Sequence, residues 1–219
     1  NRLAGQNVLT ILSGANIDFG MLSYITRNSH IGGGMRRSLR IRIAERPGAL
    51  LDVLASAFAG ANIIEFQYGK TDPDEAWFTL GIASDERAAR DITEKLDAQN
   101  IPWENVTGQE DVSFRVIRYN SALLKHPVFL NLDFYERPGA LYDFLRQYVS
   151  HSGNICYFNY SYTGERIGRA LLGIEFAEAE ARARFLSALP SRGAGFRSCR
   201  AIGAPVEARL SGTDRSDLN

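Results

Sequence analysis

The chain has 219 residues with 25 basic and 25 acidic side chains, so its formal net charge is zero. A balanced charge argues against nucleic acid or an anionic membrane as the partner, because such partners need an excess of Lys and Arg. The sequence has no run of about 20 apolar residues and therefore predicts no membrane-spanning helix. Its two cysteines are too few for a disulfide scaffold, which favours a reducing compartment, here the cytoplasm.

The N-terminal segment, residues 1–34, ends in the glycine run Gly32–Gly34. This run resembles a phosphate-binding loop only weakly, because no Lys-Ser or Lys-Thr follows it. We interpret it as a flexible hinge. The segment begins with Asn1 instead of Met and lacks an apolar signal core, which favours a fragment of a longer chain.

Residues 35–107 predict a strand–helix–strand–strand–helix–strand unit. Apolar residues alternate with Arg along Leu39–Ile43, as in a strand with one buried face. Pro47 suits the first helical position, where its missing N–H costs nothing. An apolar stripe then predicts a helix that ends near Gly60, at Leu50, Leu51, Leu54 and Phe58. The remaining strand, strand, helix and strand are expected near 62–68, 76–82, 85–98 and 103–107.

The same unit recurs in residues 128–203, after a connector of residues 108–127. The hexapeptide Glu45–Leu50, Glu-Arg-Pro-Gly-Ala-Leu, is repeated without change as Glu136–Leu141, with Pro138 again at the expected helix start. The second copy's elements are expected near 130–134, 141–149, 154–162, 167–176, 177–189 and 196–200. Residues 204–219 are small and polar and are expected to form a flexible tail.

The predicted fold class is α+β, with two ferredoxin-like βαββαβ subdomains. In each subdomain the helices cover one face of an antiparallel sheet.

Each Pro-Gly helix start is a candidate position for a small anion. Unpaired backbone N–H groups and the helix dipole favour a carboxylate there. Gly48 and Gly139 have no side chain to obstruct a ligand's backbone. A helix start without any ligand would give the same pattern, so the residues alone leave both interpretations open.

Other residues with useful chemistry are scattered. His30, His126 and His151 lack the spacing of metal ligands. Cys156 lies on the apolar side of its expected strand, which favours packing over a role as nucleophile. No nucleophile, base or metal set stands out, so we expect no metal and no complete catalytic machinery in this chain.

The strand–Glu-Arg-Pro-Gly-Ala-Leu–helix unit resembles the ACT family of amino-acid-sensing domains. Two copies in tandem resemble the regulatory region of biosynthetic threonine ammonia-lyases (threonine dehydratases). The N-terminal Val8–Asn16 resembles the last strand and turn of that family's catalytic domain. The resemblance covers about residues 5–200, and its closest matches are 62–68, 154–160, 168–173 and the pair Arg118-Tyr119.

This resemblance implies the regulatory part of a pyridoxal-phosphate-dependent lyase in isoleucine biosynthesis. The implied effectors are isoleucine as inhibitor and valine as activator. The implied partners are the enzyme's own catalytic domain and further copies in a homo-oligomer. The family's cofactor lysine and phosphate loop have no counterpart here, so Ser13 would contact the cofactor only in the complete parent enzyme.

Two departures leave the effector's identity open. Members of the family commonly carry Arg after the strand tyrosine of each copy, where this chain has Gly69 and Ser161. The Gly-Gly-Arg that usually follows Arg-Tyr is replaced by Asn120–Ala122. The alternatives are an ACT-type sensor from another enzyme or regulator, and a purely structural oligomerisation domain.

We expect the effector's carboxylate to meet the N–H groups after Pro47 or Pro138. Glu65 or Asn159 would accept its ammonium, and Arg118 would clamp the pocket. The predicted effector-binding set comprises the two helix starts, the paired strands and the connector, at Pro47, Gly48, Ala49, Glu65, Phe66, Tyr68, Arg118, Tyr119, Pro138, Gly139, Ala140, Phe158, Asn159 and Tyr160.

Overall fold

The computed structural model describes residues 36–109, 117–149, 152–162, 166–193 and 195–202. Predictions that concern Ser13, His30, Gly32–Gly34, His151 and residues 204–219 lie outside these ranges. Within them, every helix is too short or too polar to cross a bilayer.

The first copy has the expected order of strands and helices. Its elements are β1 (Arg36–Ala44), α1 (Ala49–Ala57), β2 (Asn62–Gly69), β3 (Glu75–Ala83), α2 (Glu86–Ala98) and β4 (Trp103–Asn105). The strands lie in the order β4-β1-β3-β2, and all neighbours are antiparallel. This is the ferredoxin-like arrangement that the sequence predicts.

The second copy repeats this arrangement. Its elements are β5 (Val128–Tyr135), α3 (Ala140–Phe144) with a π-helical continuation (Leu145–Val149), β6 (Asn154–Ser161), β7 (Ile167–Glu175), α4 (Ala179–Ala188) and β8 (Phe196–Ile202). The strand order is β6-β7-β5-β8. In the described part of the connector, a 3-10 turn covers Ser121–Leu123. The α+β fold class is confirmed.

The two copies share one eight-stranded sheet, because edge strand β2 pairs with edge strand β6. Gln67 is opposite Asn159, and these two residues are also equivalent in the internal repeat. A pseudo-twofold axis therefore passes through this pair and relates the copies. The sequence predicted two sheets but not the pairing that joins them.

The main core lies on one face of this sheet, under the helices. It joins buried residues of both copies in one cluster, and the rings of Phe66 and Phe158 stack at the junction with centroids 4.5 Å apart. A second cluster of Tyr119, Phe129 and Tyr157 covers part of the other face. Tyr157 must point away from the helices, because it adjoins Phe158 and side chains alternate along a strand.

The Pro-Gly segments form turns that precede the helices. The N–H of Ala49 donates to the carbonyl of Arg46 (3.2 Å), and Gly48 has φ 82° and ψ −18°. The second copy has the same turn, with Gly139 at φ 79° and ψ −4°. These are type II turns with Pro at the second position and Gly at the third. The expectation that Pro47 and Pro138 are the first helical residues is therefore wrong, because the helices begin at Ala49 and Ala140.

Candidate functional site

The arginine of each repeated hexapeptide lies at the surface, across its turn. The guanidinium of Arg46 contacts the Asp52 carboxylate at 3.1 Å, and Arg137 contacts Asp143 at 2.6 Å. All four side chains are about half exposed, so each pair contributes little to stability. Both arginines bond across the turns at the surface. The ionisable residue of the hexapeptide that points inward is therefore the glutamate.

The glutamate of each hexapeptide accepts a hydrogen bond from the strand tyrosine of its own copy. The hydroxyl of Tyr68 donates to Glu45, and that of Tyr160 donates to Glu136 at 2.8 Å. Burial raises the pKa of both carboxyl groups, and the tyrosine hydrogen bonds oppose this shift. Glu45 and Glu136 were missing from the predicted site, although their recurrence together with a tyrosine was visible in the sequence.

A buried polar group links the copies beside Glu45. The ammonium of Lys70 lies 2.5 Å from a Glu175 oxygen and 3.6 Å from a Glu45 oxygen. The Asn154 amide nitrogen lies 2.6 Å from Glu45 and 2.9 Å from Glu175. We call Glu45, Tyr68, Lys70, Asn154 and Glu175 the junction cluster. Its members come from both copies, so it forms only when the copies are packed together.

The junction cluster keeps its lysine charged. Burial alone would lower the pKa of Lys70, but the hydrogen bond that Lys70 donates to Glu175 and the negative charges of Glu175 and Glu45 outweigh burial and raise it. The neighbouring Cys156 is fully buried, and burial raises the pKa of its thiol well above the usual range. A thiol in that state is a poor nucleophile, which agrees with the expected packing role.

Two small clefts flank Asn154. One is lined by residues that include Glu45, Leu50, Tyr68, Phe78, Asn154 and Ile155. The other lies between the start of α1 and the second copy, with walls that include Gly48, Leu50, Leu51, Val149 and Gly153. Each has room for only about one water molecule, so the two copies pack closely at this position.

Several predicted site residues lie around this junction. Pro47, Gly48 and Ala49 form the start of α1, and Tyr68 belongs to the junction cluster. Phe66 and Phe158 stack in the core between the copies. Pro138, Gly139 and Ala140 form the equivalent turn of the second copy, and Tyr160 bonds to Glu136 there.

Glu65 and Asn159 lie on the other face of the sheet. Each adjoins a core phenylalanine in its strand, so its side chain points away from the helices. Glu65 is buried and already bound to the guanidinium of Arg36 and the amide of Gln67. The expectation that Glu65 or Asn159 accepts an ammonium at a helix start does not fit this placement. The buried carboxylate beside the start of α1 is Glu45, whereas Asp52 in the first turn is about half exposed.

The ring of Tyr119 also lies away from the helix starts. The Tyr119 ring packs edge-on against Tyr157, at 5.6 Å between centroids, on the face opposite the helices. The carbonyl of Arg118 lies directly against Gly69, where any Cβ atom would overlap it. The close approach of the connector therefore explains why glycine follows the strand tyrosine in the first copy. The clamp expected from the Arg118 side chain stays a prediction.

Comparisons of the sequence with known proteins find similarity to threonine dehydratases. Residues 121–200 match the model of the C-terminal regulatory domain of threonine dehydratase. The chain is 28% identical over 184 residues to the biosynthetic L-threonine dehydratase IlvA of Haemophilus influenzae, and the match covers 82% of this chain and 35% of the relative. It is 30% identical over 175 residues to the mitochondrial threonine dehydratase of Schizosaccharomyces pombe, and this match covers 78% of the chain and 29% of the relative. The chain thus spans about a third of the length of these relatives.

Proposed function

We propose that this chain, whose residues 121–200 belong to the family of threonine dehydratase C-terminal regulatory domains, senses a branched-chain amino acid for a parent enzyme. The parent would be a pyridoxal-phosphate-dependent threonine ammonia-lyase of isoleucine biosynthesis. Isoleucine would inhibit it and valine would activate it. Its partners would be the parent's catalytic domain and further copies of the chain in a cytoplasmic homo-oligomer.

The observation that carries this proposal is the match of residues 121–200 to the regulatory domain of threonine dehydratase, and we place the ligand between the copies at the start of α1. The clefts there have mainly apolar walls, which include Leu50 and Ile155, and each has room for about one water molecule, so a bound amino acid would have to widen the junction. The α1 helix is nine residues long, and its first-turn N–H groups and dipole favour a carboxylate. Glu45, Tyr68 and Asn154 supply the polar end of the adjoining cleft.

A ligand at this position would act on the arrangement of the copies. Both clefts have walls from the first copy and from the second, so a bound amino acid would contact both. Regulation requires the ligand to bind one arrangement more tightly than another, because only differential affinity shifts an equilibrium. The junction is therefore the natural two-state element of the proposed sensor.

Pyridoxal phosphate belongs, in this proposal, to the parent's catalytic part. The buried lysine Lys70 does not suit the cofactor, because two glutamates hold it as an ammonium while a Schiff base requires the neutral amine. Ser13, which the resemblance places against the cofactor, lies outside the described residues. We therefore derive no chemical step from this chain.

Calorimetric titration of the chain with each of the twenty amino acids tests the proposal. We expect saturable heats with isoleucine and valine and none with charged amino acids, because the clefts are mainly apolar. Glycine is a useful control, since it has the same ammonium and carboxylate but no side chain. If none of the twenty binds, the sensor proposal is wrong and a purely structural domain replaces it. If only a non-branched amino acid binds, the chain serves a different effector.

A further inference from the structure

The edge of β1 is open beyond the point where β4 begins. The first residue of β4, Trp103, is opposite Ile41, and one further bond runs from the N–H of Arg42 to the carbonyl of Pro102 at 2.9 Å. Pro102 has no N–H and donates nothing to the Arg42 carbonyl. Because N–H groups alternate in direction along an antiparallel strand, the N–H of Ala44 points to the same side as that of Arg42. The Arg42 carbonyl and the Ala44 N–H therefore face the open edge.

A groove runs along this open edge. It has a volume of about 530 Å³ and lies between the end of β1, the first turns of α1 and the loop from α2 to β4. Its apolar walls come from Ile43, Ala49, Val53 and Ile101. Binding sites commonly have volumes of about 300–1,000 Å³, so this groove, unlike the clefts beside Asn154, has room for a ligand or a short peptide segment.

The second copy shows what the equivalent position accommodates. There β8 reaches further than β4 does, and Phe196 pairs with Phe134, the counterpart of Ile43 in the internal repeat. The Phe196 ring is buried and packs edge-on against Phe144 at 5.3 Å between centroids. Phe144 is the counterpart of Val53. The position that an aromatic ring of β8 fills in the second copy is therefore the groove of the first copy.

The groove has an excess of one negative charge. Arg42 pairs with Glu75 at 3.3 Å, and Arg46 pairs with Asp52 at 3.1 Å. The fifth charged residue of the walls is Asp74, which is exposed and has no salt bridge within the described ranges. A basic residue in the occupant would complement the carboxylate of Asp74.

We propose that this groove binds an extended segment of a partner polypeptide, with an aromatic residue and a basic residue beside it. The segment adds a strand at the open backbone groups of β1, which is a common mode of peptide recognition, and its ring packs against Val53. The segment that fills the second copy has the same chemistry, because Arg192 and Arg197 flank Phe196. A second copy of this chain is not the occupant, since its own segment of this kind is held in its own sheet. The proposal does not depend on an amino-acid effector.

A synthetic peptide with the sequence of residues 191–198, Ser-Arg-Gly-Ala-Gly-Phe-Arg-Ser, is the probe. With a fluorophore at its N-terminus, the peptide should bind the chain saturably in a fluorescence-anisotropy titration. The same peptide with alanine in place of phenylalanine should bind at least about tenfold more weakly, because it has no ring to bury. If neither peptide binds, or if both bind equally, the proposal is wrong.

Two pairs of variants locate the binding in the groove. Ala44→Pro removes the outward N–H at an edge that tolerates proline and should weaken binding at least about tenfold, whereas Ala44→Val keeps the N–H and should change the affinity less than about threefold. Asp74→Asn should weaken binding about two- to fivefold and reduce its salt dependence, whereas Asp91→Asn, on the exposed face of α2, should not.

Melting temperatures within a few degrees of the parent establish that the variants fold, and Asp74→Asn leaves the backbone unchanged. Unchanged affinity in both Ala44→Pro and Asp74→Asn would place the peptide elsewhere and overturn the proposal. Sedimentation of the chain without peptide separates the partner from a second copy. Ala44→Pro should sediment like the parent, and a shift towards monomer would mean that a second copy occupies the groove, contrary to the proposal.

Discussion

Glycine is needed at Gly48 and Gly139 for a reason that differs from the expected one. The sequence suggested that glycine makes room for a ligand. In the structure both glycines adopt the left-handed backbone region, and a Cβ atom on Gly139 would meet no atom within 4 Å. The constraint at Gly139 is therefore the type II turn, which needs a positive φ at its third position, and not the available space.

This cause predicts the stability of alanine variants. Gly139→Ala should lower the free energy of unfolding by about 1–2 kcal/mol, because L-residues pay that cost in the left-handed region. Gly195→Ala is the control, since its Cβ would also meet open space and Gly195 is not among the positive-φ glycines. It should change stability by less than about 0.5 kcal/mol. Urea denaturation measures both, and equal effects would contradict the backbone explanation.

Lys70 is the residue whose removal should affect the junction most. Lys70→Met leaves Glu45 and Glu175 buried without a cation and should cost about 3–5 kcal/mol at pH 7. Lys95→Met is the control, because the Lys95–Asp91 pair is exposed and contributes little. The pKa of Lys70 is raised in the folded chain, so its stabilisation is complete below the unfolded value of 10.5 and is lost as the pH rises through the folded value.

Urea titrations at several pH values check this assignment. The difference between parent and Lys70→Met should be constant from pH 7 to 9 and should shrink above pH 10.5. A difference that stays the same up to pH 11.5 would mean that the lysine acts through its hydrocarbon and not through its charge.

At the level of secondary structure, local patterns predicted most of the fold. Period-two alternation gave the strands, and the stripe Leu50–Phe58 gave α1, because these signals arise from neighbours along the chain. The repeated hexapeptide indicated that the unit occurs twice. Contacts between distant residues were beyond such reasoning. Lys70 and Glu175 are 105 residues apart, and nothing local to either residue indicates the other.

The pairing of β2 with β6 is also a contact between distant residues that local patterns do not predict. Each edge strand looks complete within its own copy, and only the three-dimensional arrangement shows that Gln67 faces Asn159. For the candidate site, the sequence indicated that the Pro-Gly segments precede the helices, and whether they bind a ligand stays a prediction. Strand periodicity indicated that Glu65 is polar but not that it lies on the face of the sheet opposite the helices.

The pairing of β2 with β6 predicts that substitutions of two phenylalanines have non-additive effects on stability. The rings of Phe66 and Phe158 stack across the pair, so Phe66→Ala and Phe158→Ala should each cost about 3–5 kcal/mol. The double variant should cost less than the sum by about 0.5–1.5 kcal/mol, the value of an aromatic pair beyond its buried area. Phe66→Ala combined with Phe185→Ala serves as control, because Phe185 packs against Phe176 instead. If the costs of Phe66→Ala and Phe158→Ala simply add in the double variant, the copies are coupled by contacts other than this ring pair.

For the whole molecule, the shared sheet leaves two outer edge strands in the described ranges, β4 and β8. Strand β4 has three residues and offers little for another strand to pair with. Strand β8 has seven, and the N–H of Cys199 donates to Ser191 and not to β5. Because N–H groups alternate in direction along an antiparallel strand, the N–H of the exposed Ala201 also points away from the sheet.

We therefore predict that the chain associates through β8, since an exposed edge invites pairing and a net charge of zero provides no repulsion. Sedimentation should show a species of at least twice the 24.3 kDa chain mass. Ala201→Pro removes the outward N–H, and the edge position tolerates proline, so this variant should shift the population towards monomer. Ala201→Val keeps the N–H and should associate like the parent. A parent chain that stays monomeric at high concentration contradicts association altogether. An Ala201→Pro variant that associates unchanged would assign the contact to another surface, such as the sheet face around the exposed Trp77.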